Sequence, residues 1–414
     1  MSLGLHRAKV YPSDEVPSIA AEARKRVFAA VFRMDKGVAT FTGRPPMFSR
    51  RYTTSQSLPL DVSDEVLLAG GETLARAIAS LDENGFNTDG KVYSTTILRA
   101  RTLLALVRDE VLEIALGCNE NDDILEVATR LKRKSCETYA KFSPNIQYHP
   151  DILLDKTMRG PALYARTVTR LEHLENLFLL ERLLIKHGGG NMQELIDVSC
   201  DMLDLTLVWW KHSNRFAGMH SDLEWLVTSY AAPTAGVLCI ELLKQLHSNS
   251  RQANRLGAYE NNTAPRYNIP RSQTIQNLTL FVGFLDWIQV TEPPTTDICT
   301  RIREIVSRVL DEILGGGSSG NVNTGAGLGA PIGGGHGVVS APADSRLANP
   351  HITSSHVLDR GTAPLTAATA ITAEEELPST ASFAQLDTFS TMFDFDNADL
   401  WNFELMDTYG WIEG

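Results

Sequence analysis

Two short glycine-rich stretches have the residue types of nucleophilic catalysis. His187-Gly188-Gly189-Gly190 matches an HGGG oxyanion loop, whose backbone N–H groups would hold a developing negative charge. Gly316-Gly317-Ser318-Ser319-Gly320 matches G-x-S-x-G, and the two lie in the order an α/β-hydrolase esterase uses. That chemistry needs its serine on a tight turn between a strand and a helix. Here the serine follows a helical pattern and enters a glycine-rich stretch, so both matches read as chance, and HGGG reads as a helix C-terminus. Gly325-Ala326-Gly327-Leu328-Gly329-Ala330 superficially resembles a dinucleotide loop but has neither a strand before it nor a helix after it. No P-loop lysine and no HExxH occurs. The expectation is a protein that is not an enzyme and has no catalytic, cofactor-binding or metal-binding residues.

The five cysteines, Cys118, Cys136, Cys200, Cys239 and Cys299, include no CxxC pair. A structural zinc site usually requires closely spaced thiolates, so the cysteines are expected to be small buried apolar residues. Arg130-Leu131-Lys132-Arg133-Lys134 is either an import patch or a solvated helix face. Trp209, Trp210, Trp225 and Tyr230 either line an effector cavity between helices or simply fill the core. The sequons at Asn261 and Asn277 carry little weight, because the N-terminus lacks the apolar stretch of an export signal. No run of 18 apolar residues is present, so no membrane span is expected.

Net charge is −12, from 38 basic and 50 acidic residues. Its distribution is uneven. After Arg360 there is no Lys or Arg, but there are ten acids, so residues 1–360 are nearly balanced. That balance gives no concentrated positive surface for nucleic acid. Eight of the 31 aromatic residues fall between Phe383 and Trp411, interleaved with those acids. Charge repulsion would keep such a segment expanded and its aromatics open to a partner. Trp401, Leu405, Tyr409 and Ile412 recur at helical spacing and could form one apolar stripe. Phe393, Phe395 and Phe403 complete the candidate binding residues.

Helical periodicity dominates the elements that must carry these features. In the stretch 97–116, Ile97, Leu104, Val107, Val111 and Ile114 recur at three- and four-residue steps or their sums. Similar patterns run through about 17–35, 63–81, 121–141, 161–187, 192–213, 220–247, 272–290 and 296–314. Ser63 before Asp64 and Glu65 predicts an N-cap with dipole-compensating acids. Period-two alternation is nearly absent, so the fold class is all-α. Residues 41–61 read as an ordered loop, and 249–271 as a surface loop. From Gly315 to about 378 the chain is Gly, Ser, Ala, Thr and Pro and reads as a flexible linker. The expected organisation is a helical domain over 1–314, a linker over 315–378 and an acidic aromatic tail over 379–414.

Within 22–65, the order Glu22 to Phe28 (EARKRVF), Met34-Asp35-Lys36, Thr42-Gly43-Arg44-Pro45-Pro46, Ser49-Arg50-Arg51-Tyr52, Leu58-Pro59-Leu60-Asp61 and Ser63-Asp64-Glu65 resembles the fungal-specific transcription factor domain. This is the middle homology region of zinc-cluster regulators. Resemblance over the rest, to about 314, rests on the all-helical pattern. Ala29 stands where the family commonly has Trp. Leu3-Gly4-Leu5-His6-Arg7 resembles the end of an earlier family helix, so the chain is read as starting inside the domain. The upstream helices and the two-zinc DNA-binding cluster are read as missing, which would uncover an apolar face carrying Val27, Phe28, Val31 and Phe32.

The GRPP segment, Gly43 to Pro46, is expected to pin a long loop against the helices. Arg44 offers five donors, and the prolines fix extended geometry. The resemblance implies a nuclear transcription regulator, responsive to an effector, that acts as a homo- or heterodimer on a target promoter, such as one in a biosynthetic or catabolic gene cluster. A coactivator would be its partner, with promoter DNA reached only through upstream residues or another subunit. The other class left open is a DNA-binding-deficient modulator of a full-length regulator. The expression of each depends on the tail and on the helical domain that carries it.

Overall fold

The computed structural model describes residues 17–53, 57–117, 123–158, 160–216, 223–253, 267–291 and 297–315. They form an all-α fold, with no strand among the described residues. The expected linker and tail lie outside them beyond Gly315. In chain order the helices are α1 (Ile19–Thr42), α2 (Asp64–Ala69), α3 (Gly71–Ala79), α4 (Ser94–Leu116), α5 (Ile124–Ala140), α6 (Gly160–Lys186) and α7 (Met192–Lys211). These are followed by α8 (Leu223–Leu226), α9 (Ala232–Ala253), α10 (Arg271–Thr291) and α11 (Asp297–Gly315). A single π-helical turn, Val227–Ala231, joins α8 to α9.

Most boundaries follow local chemistry. Ser63 caps α2 by accepting from the Val66 N–H at 3.3 Å, with Asp64 and Glu65 in the first turn. The stretch read as one helix over 63–81 is two, because Gly70 and Gly71 both take positive φ between α2 and α3. The first helix runs on to Thr42, seven residues beyond its expected end. His187-Gly-Gly-Gly is the stop signal of α6. Gly188 is left-handed at φ 80°, its N–H reaches the Ile185 carbonyl at 3.0 Å, and the Gly189 N–H reaches that of Leu184 at 2.9 Å. This is a Schellman closure, which occupies the glycines structurally. Ser318 lies outside the described residues.

Helix α6 is the axis. It packs against α4 and α5 on one side and α7 on the other, and it is buried around most of its girth. The largest core joins α6 through α11 around Trp209, Tyr230, Phe281 and Phe284, each at most 1% exposed. Trp209 stacks on Phe216 at 4.5 Å, Trp225 meets Tyr230 edge-on at 5.0 Å, and Trp210 stacks on Phe284 at 6.0 Å. By length and composition Leu223–His247 could cross a membrane, but 61% of that apolar window is buried inside this core. A smaller cluster places Phe28 and Phe32 of α1 against Ala105 of α4, with Phe48 beside them.

Two expectations need correction. Phe28 and Phe32 are buried rather than on an open face, since they sit about 100° round the helix from Val27 and Val31, which are exposed. Cys136 is exposed on α5, while Cys239 and Cys299 are buried and Cys200 is half-buried; Cys118 lies outside the described residues.

The two faces of α1 differ in what they hold. Phe32→Ala should destabilise the chain by about 3–5 kcal/mol, as expected for a buried aromatic. Val31→Ala should change stability by no more than about 0.5 kcal/mol. Urea unfolding of both variants measures the difference.

Candidate functional site

The fold turns the 22–65 motif into a clamp around the outer end of α4. Glu22, fully buried on α1, accepts the Leu60 N–H at 2.7 Å. Burial raises its pKa, against that hydrogen bond and the nearby Lys25 and Arg26. Arg26 pairs with Asp64 at 2.5 Å, tying α1 to the start of α2. Asp61 is also fully buried. Its carboxylate accepts from the Asn87 N–H at 2.8 Å, the Asn87 side-chain amide at 2.7 Å and the Thr96 hydroxyl at 2.5 Å. Burial raises the Asp61 pKa, and these donors pull against it. Arg99 of α4 closes the ring by donating to the Pro59 carbonyl at 2.7 Å.

The loop after α1 is held mainly by α1 itself. Gly43 ends the helix in the left-handed region, at φ 64°. Arg44 and Pro45 are exposed, and Pro46 is half-buried. Asp35 accepts the Met47 and Phe48 N–H groups at 2.9 and 3.0 Å, while Lys36 donates to the Phe48 carbonyl. Lys36 is 1% exposed, lies 4.4 Å from the Phe32 ring centre, and pairs with both Asp35 and Asp109 at 2.8 Å. Asp109 also accepts the Arg50 N–H at 2.9 Å, and Glu113 takes Arg50 and Arg51 at 2.5 Å each. The Arg50 and Arg51 hydrogen bonds hold the Glu113 carboxyl below its ordinary range.

Deeper in, α4 and α6 meet through charges. Arg101 pairs with Glu172 at 2.6 Å. Arg108 pairs with Glu175 at 2.7 Å and also donates to Asn176 and to Thr40 of α1. Arg33 of α1 approaches Glu172 at 3.6 Å. Burial pulls the Arg101 pKa down, but Glu172, Tyr164 and Tyr230 outweigh it and the net shift is upward. Burial raises Glu175, with Arg108 opposing. The Tyr230 hydroxyl is buried near Glu172 and Glu175 without a hydrogen-bond partner among the described residues, and the Trp209 indole N–H is likewise buried and unpartnered among them. Sequence reasoning missed this network. The available signal was charge in apolar phase: Arg101 and Arg108 fall between Ile97, Leu104 and Val111 at alternating four- and three-residue steps.

The other candidates resolve as follows. Trp209, Trp225 and Tyr230 come together in the largest core and Trp210 packs at its edge. Within the basic run, Lys132 pairs with Glu181 at 2.5 Å and with Glu194, Lys134 with Glu110 at 2.6 Å, and Arg133 with Glu137 at 3.7 Å. Asn277 is 2% exposed and donates to Asp204 at 2.8 Å; Asn261 lies outside the described residues. Phe393, Phe395, Trp401, Phe403, Leu405, Tyr409 and Ile412 also lie outside them. Among the described residues no cluster of three or more His, Cys, Asp or Glu is arranged to hold a metal ion.

An all-α domain clamped by this motif is the class of structure on the page. Residues 1–85 match the Fungal specific transcription factor domain, a stretch that takes in α1, the GRPP loop, α2, α3 and the turn at Gly85. That family is a transcription-factor domain and not an enzyme family, and the match supports a role in transcription regulation. No curated protein and no solved structure matches the chain.

Two measurements check the electrostatics. Arg101→Ala leaves Glu172 buried against Arg33 alone and should cost about 3–5 kcal/mol, whereas Arg101→Met with Glu172→Leu should recover most of that loss. Denaturant unfolding distinguishes the two.

The second concerns His173, which is buried, bonded to the Ser135 hydroxyl at 3.1 Å and stacked on Tyr139 at 4.6 Å. Burial and Arg170 push its pKa down to about 3. The unfolded state therefore binds the proton first. Stability attributable to this group is complete above about pH 6.5 and is lost as pH falls toward 3, with a slope near 1.4 kcal/mol per pH unit. Unfolding free energies between about pH 6 and 4 should show that slope, and His173→Gln should flatten it.

Proposed function

We propose that this chain is a nuclear transcription regulator that recruits a coactivator through residues 379–414 while the helical domain positions that segment. The observation that carries the regulatory reading is the match of residues 1–85 to a transcription-factor domain. Composition carries the recruitment reading. The segment after Arg360 holds ten acids, no base, and eight aromatics within 383–411. Mutual repulsion opposes collapse of such a sequence, and the aromatics supply the apolar area a groove can bury.

Binding would be coupled to folding. At 100° per residue Trp401, Leu405, Tyr409 and Ile412 fall on one stripe, with Asp399, Glu404, Asp407 and Glu413 outside it. A helix this short and acidic has little stability alone, so the coactivator groove would supply the apolar contact that orders it. The acids would speed encounter with a basic rim more than they would hold the complex. Control of a biosynthetic or catabolic gene cluster, and action as a dimer, belong to the same proposal.

A second reading is a modulating partner of a full-length regulator, without DNA binding of its own. The near-balance of charge over residues 1–360 favours it, since duplex binding draws on phosphate neutralisation by a basic surface. In either case the chain alone should show no sequence-specific duplex binding at physiological salt.

Fusing residues 379–414 to a heterologous DNA-binding domain tests recruitment. The fusion should activate a reporter, and Trp401→Ala with Leu405→Ala should remove most of the activity. Replacing two of the acids should weaken it less. A silent wild-type fusion would refute recruitment by this segment.

A further inference from the structure

One buried carboxylate faces two arginines. Arg101 holds the Glu172 oxygen Oε1 through Nε at 2.7 Å and through Nη2 at 2.6 Å. Arg33 of α1 only approaches that same oxygen, at 3.6 Å, and its Nε is buried with no hydrogen-bond partner among the described residues. Two hydroxyls nearby share this condition. Thr169 lies one turn before Glu172 on the same flank of α6, and Tyr230 faces Glu172 from the π turn. Both residues are fully buried, and neither hydroxyl has a partner among the described residues.

Charge is uneven at the same place. Arg33, Arg101 and Arg108 meet Glu172 and Glu175, which leaves one cation over. The neighbouring Asp35 and Asp109 do not correct this, because they hold Lys36 and Arg50. Burial and the adjacent Arg101 lower the Arg33 pKa more than Glu172 restores it. A buried polar group needs a hydrogen-bond partner, and a buried charge needs a counter-charge. Ordered water meets the first need and not the second. An anion meets both.

Size and sign narrow the class. One excess cation matches a carboxylate, whereas a phosphate monoester brings about −1.5 to −2. A planar guanidinium also receives a carboxylate through two parallel hydrogen bonds. Trp225 is half-buried, stands edge-on to Tyr230 at 5.0 Å and lies 5.9 Å from the Arg101 guanidinium, so it offers an apolar wall to the rest of a ligand. Gly37, one turn on from Arg33, is half-buried, yet an added Cβ there would meet no atom within 4 Å. The Arg33 side chain is 23% exposed, so its outer end opens this seam to solvent. Single π turns recur at functional sites.

We infer that the seam between α1, α6 and the π turn binds a small monocarboxylic acid with an apolar body, its carboxylate on Arg33 and a further contact on the Tyr230 hydroxyl. Binding uses no residue of 379–414, so it does not rest on the recruitment reading, and a silent reporter fusion has no bearing on it.

The full chain tests this before any natural ligand is known. In a buffer free of carboxylates, Arg33→Met should leave the thermal midpoint unchanged or raise it, because it removes a buried charge that lacks a counter-ion. A fall comparable with that of Arg101→Ala would show Arg33 already neutralised within the chain and would overturn the inference. Phenylacetate and hexanoate, each at about 10 mM, should raise the wild-type midpoint by at least about 2 °C, and phenylacetamide and hexanamide should not. Tyr230→Phe should keep the wild-type midpoint and bind both acids at least about tenfold more weakly. Arg33→Met should not bind them. A midpoint insensitive to both acids, equal shifts from the amides or from inorganic phosphate, or shifts that persist in Arg33→Met would each overturn the inference, the last as an adventitious ion only.

Discussion

Two arginines on α4 have to be neutralised inside the protein, and much of the arrangement follows from that. Arg101 and Arg108 are one heptad apart and both about 5% exposed. A guanidinium cannot shed its proton to escape burial, so each needs a carboxylate at fixed geometry. Helix α6 supplies Glu172 and Glu175 at a three-residue step, and α1 adds Arg33 and Thr40 from the side. Such contacts add little net stability over well-packed apolar residues, because desolvation offsets their attraction. What they add is registry. Sliding α4 by one turn along α6 would strand both charges, whereas a purely aliphatic seam would tolerate the shift.

The motif over 22–65 extends the same logic outward. Glu22, Asp35, Asp61 and Asp109 each accept backbone N–H groups from loops that have no regular structure to satisfy them. A buried carboxylate can hold two or three such donors, and charge-assisted bonds are roughly twice as strong as neutral ones. The long connection from α1 to α2 is thereby fixed by Glu22 and Asp35 of α1 and Asp109 of α4, while Asp61 within it holds the loop between α3 and α4. Arg44, the residue whose chemistry drew notice first, is exposed at the loop's outer edge. The family signature is, on this view, mainly a set of loop anchors.

How legible this was depended on the range of the interaction. Helix caps are local, so Ser63 and the glycines after Lys186 announced boundaries that the structure keeps. The Gly70–Gly71 break was equally local but was passed over because the apolar period continues through it. Buried charge pairs were not legible. Glu172 reads as an exposed helix residue until Arg101, 71 positions earlier, is placed beside it. The π turn at Val227–Ala231 had no sequence signal, since it changes hydrogen-bond partners without changing residue preference. Cys136 was misjudged because cysteine is usually buried, and its helix α5 turns it outward beside exposed Glu137.

The inversion of α1 follows from the same constraint. Its inner face must complete a polar network, so Asp35 and Lys36 point inward to Phe48 and Asp109, and only Phe28, Phe32 and small residues are left to provide apolar packing there. An inner face built from charge does not require a polar outer face. If solvent were the only constraint on Val27, Val31, Met34 and Val38, Lys or Glu at those positions would cost the core nothing and would favour solubility. Three β-branched valines and a methionine in heptad register do the opposite. They lower helix propensity slightly and expose apolar area that water disfavours. Exposure to solvent alone therefore gives no account of that face.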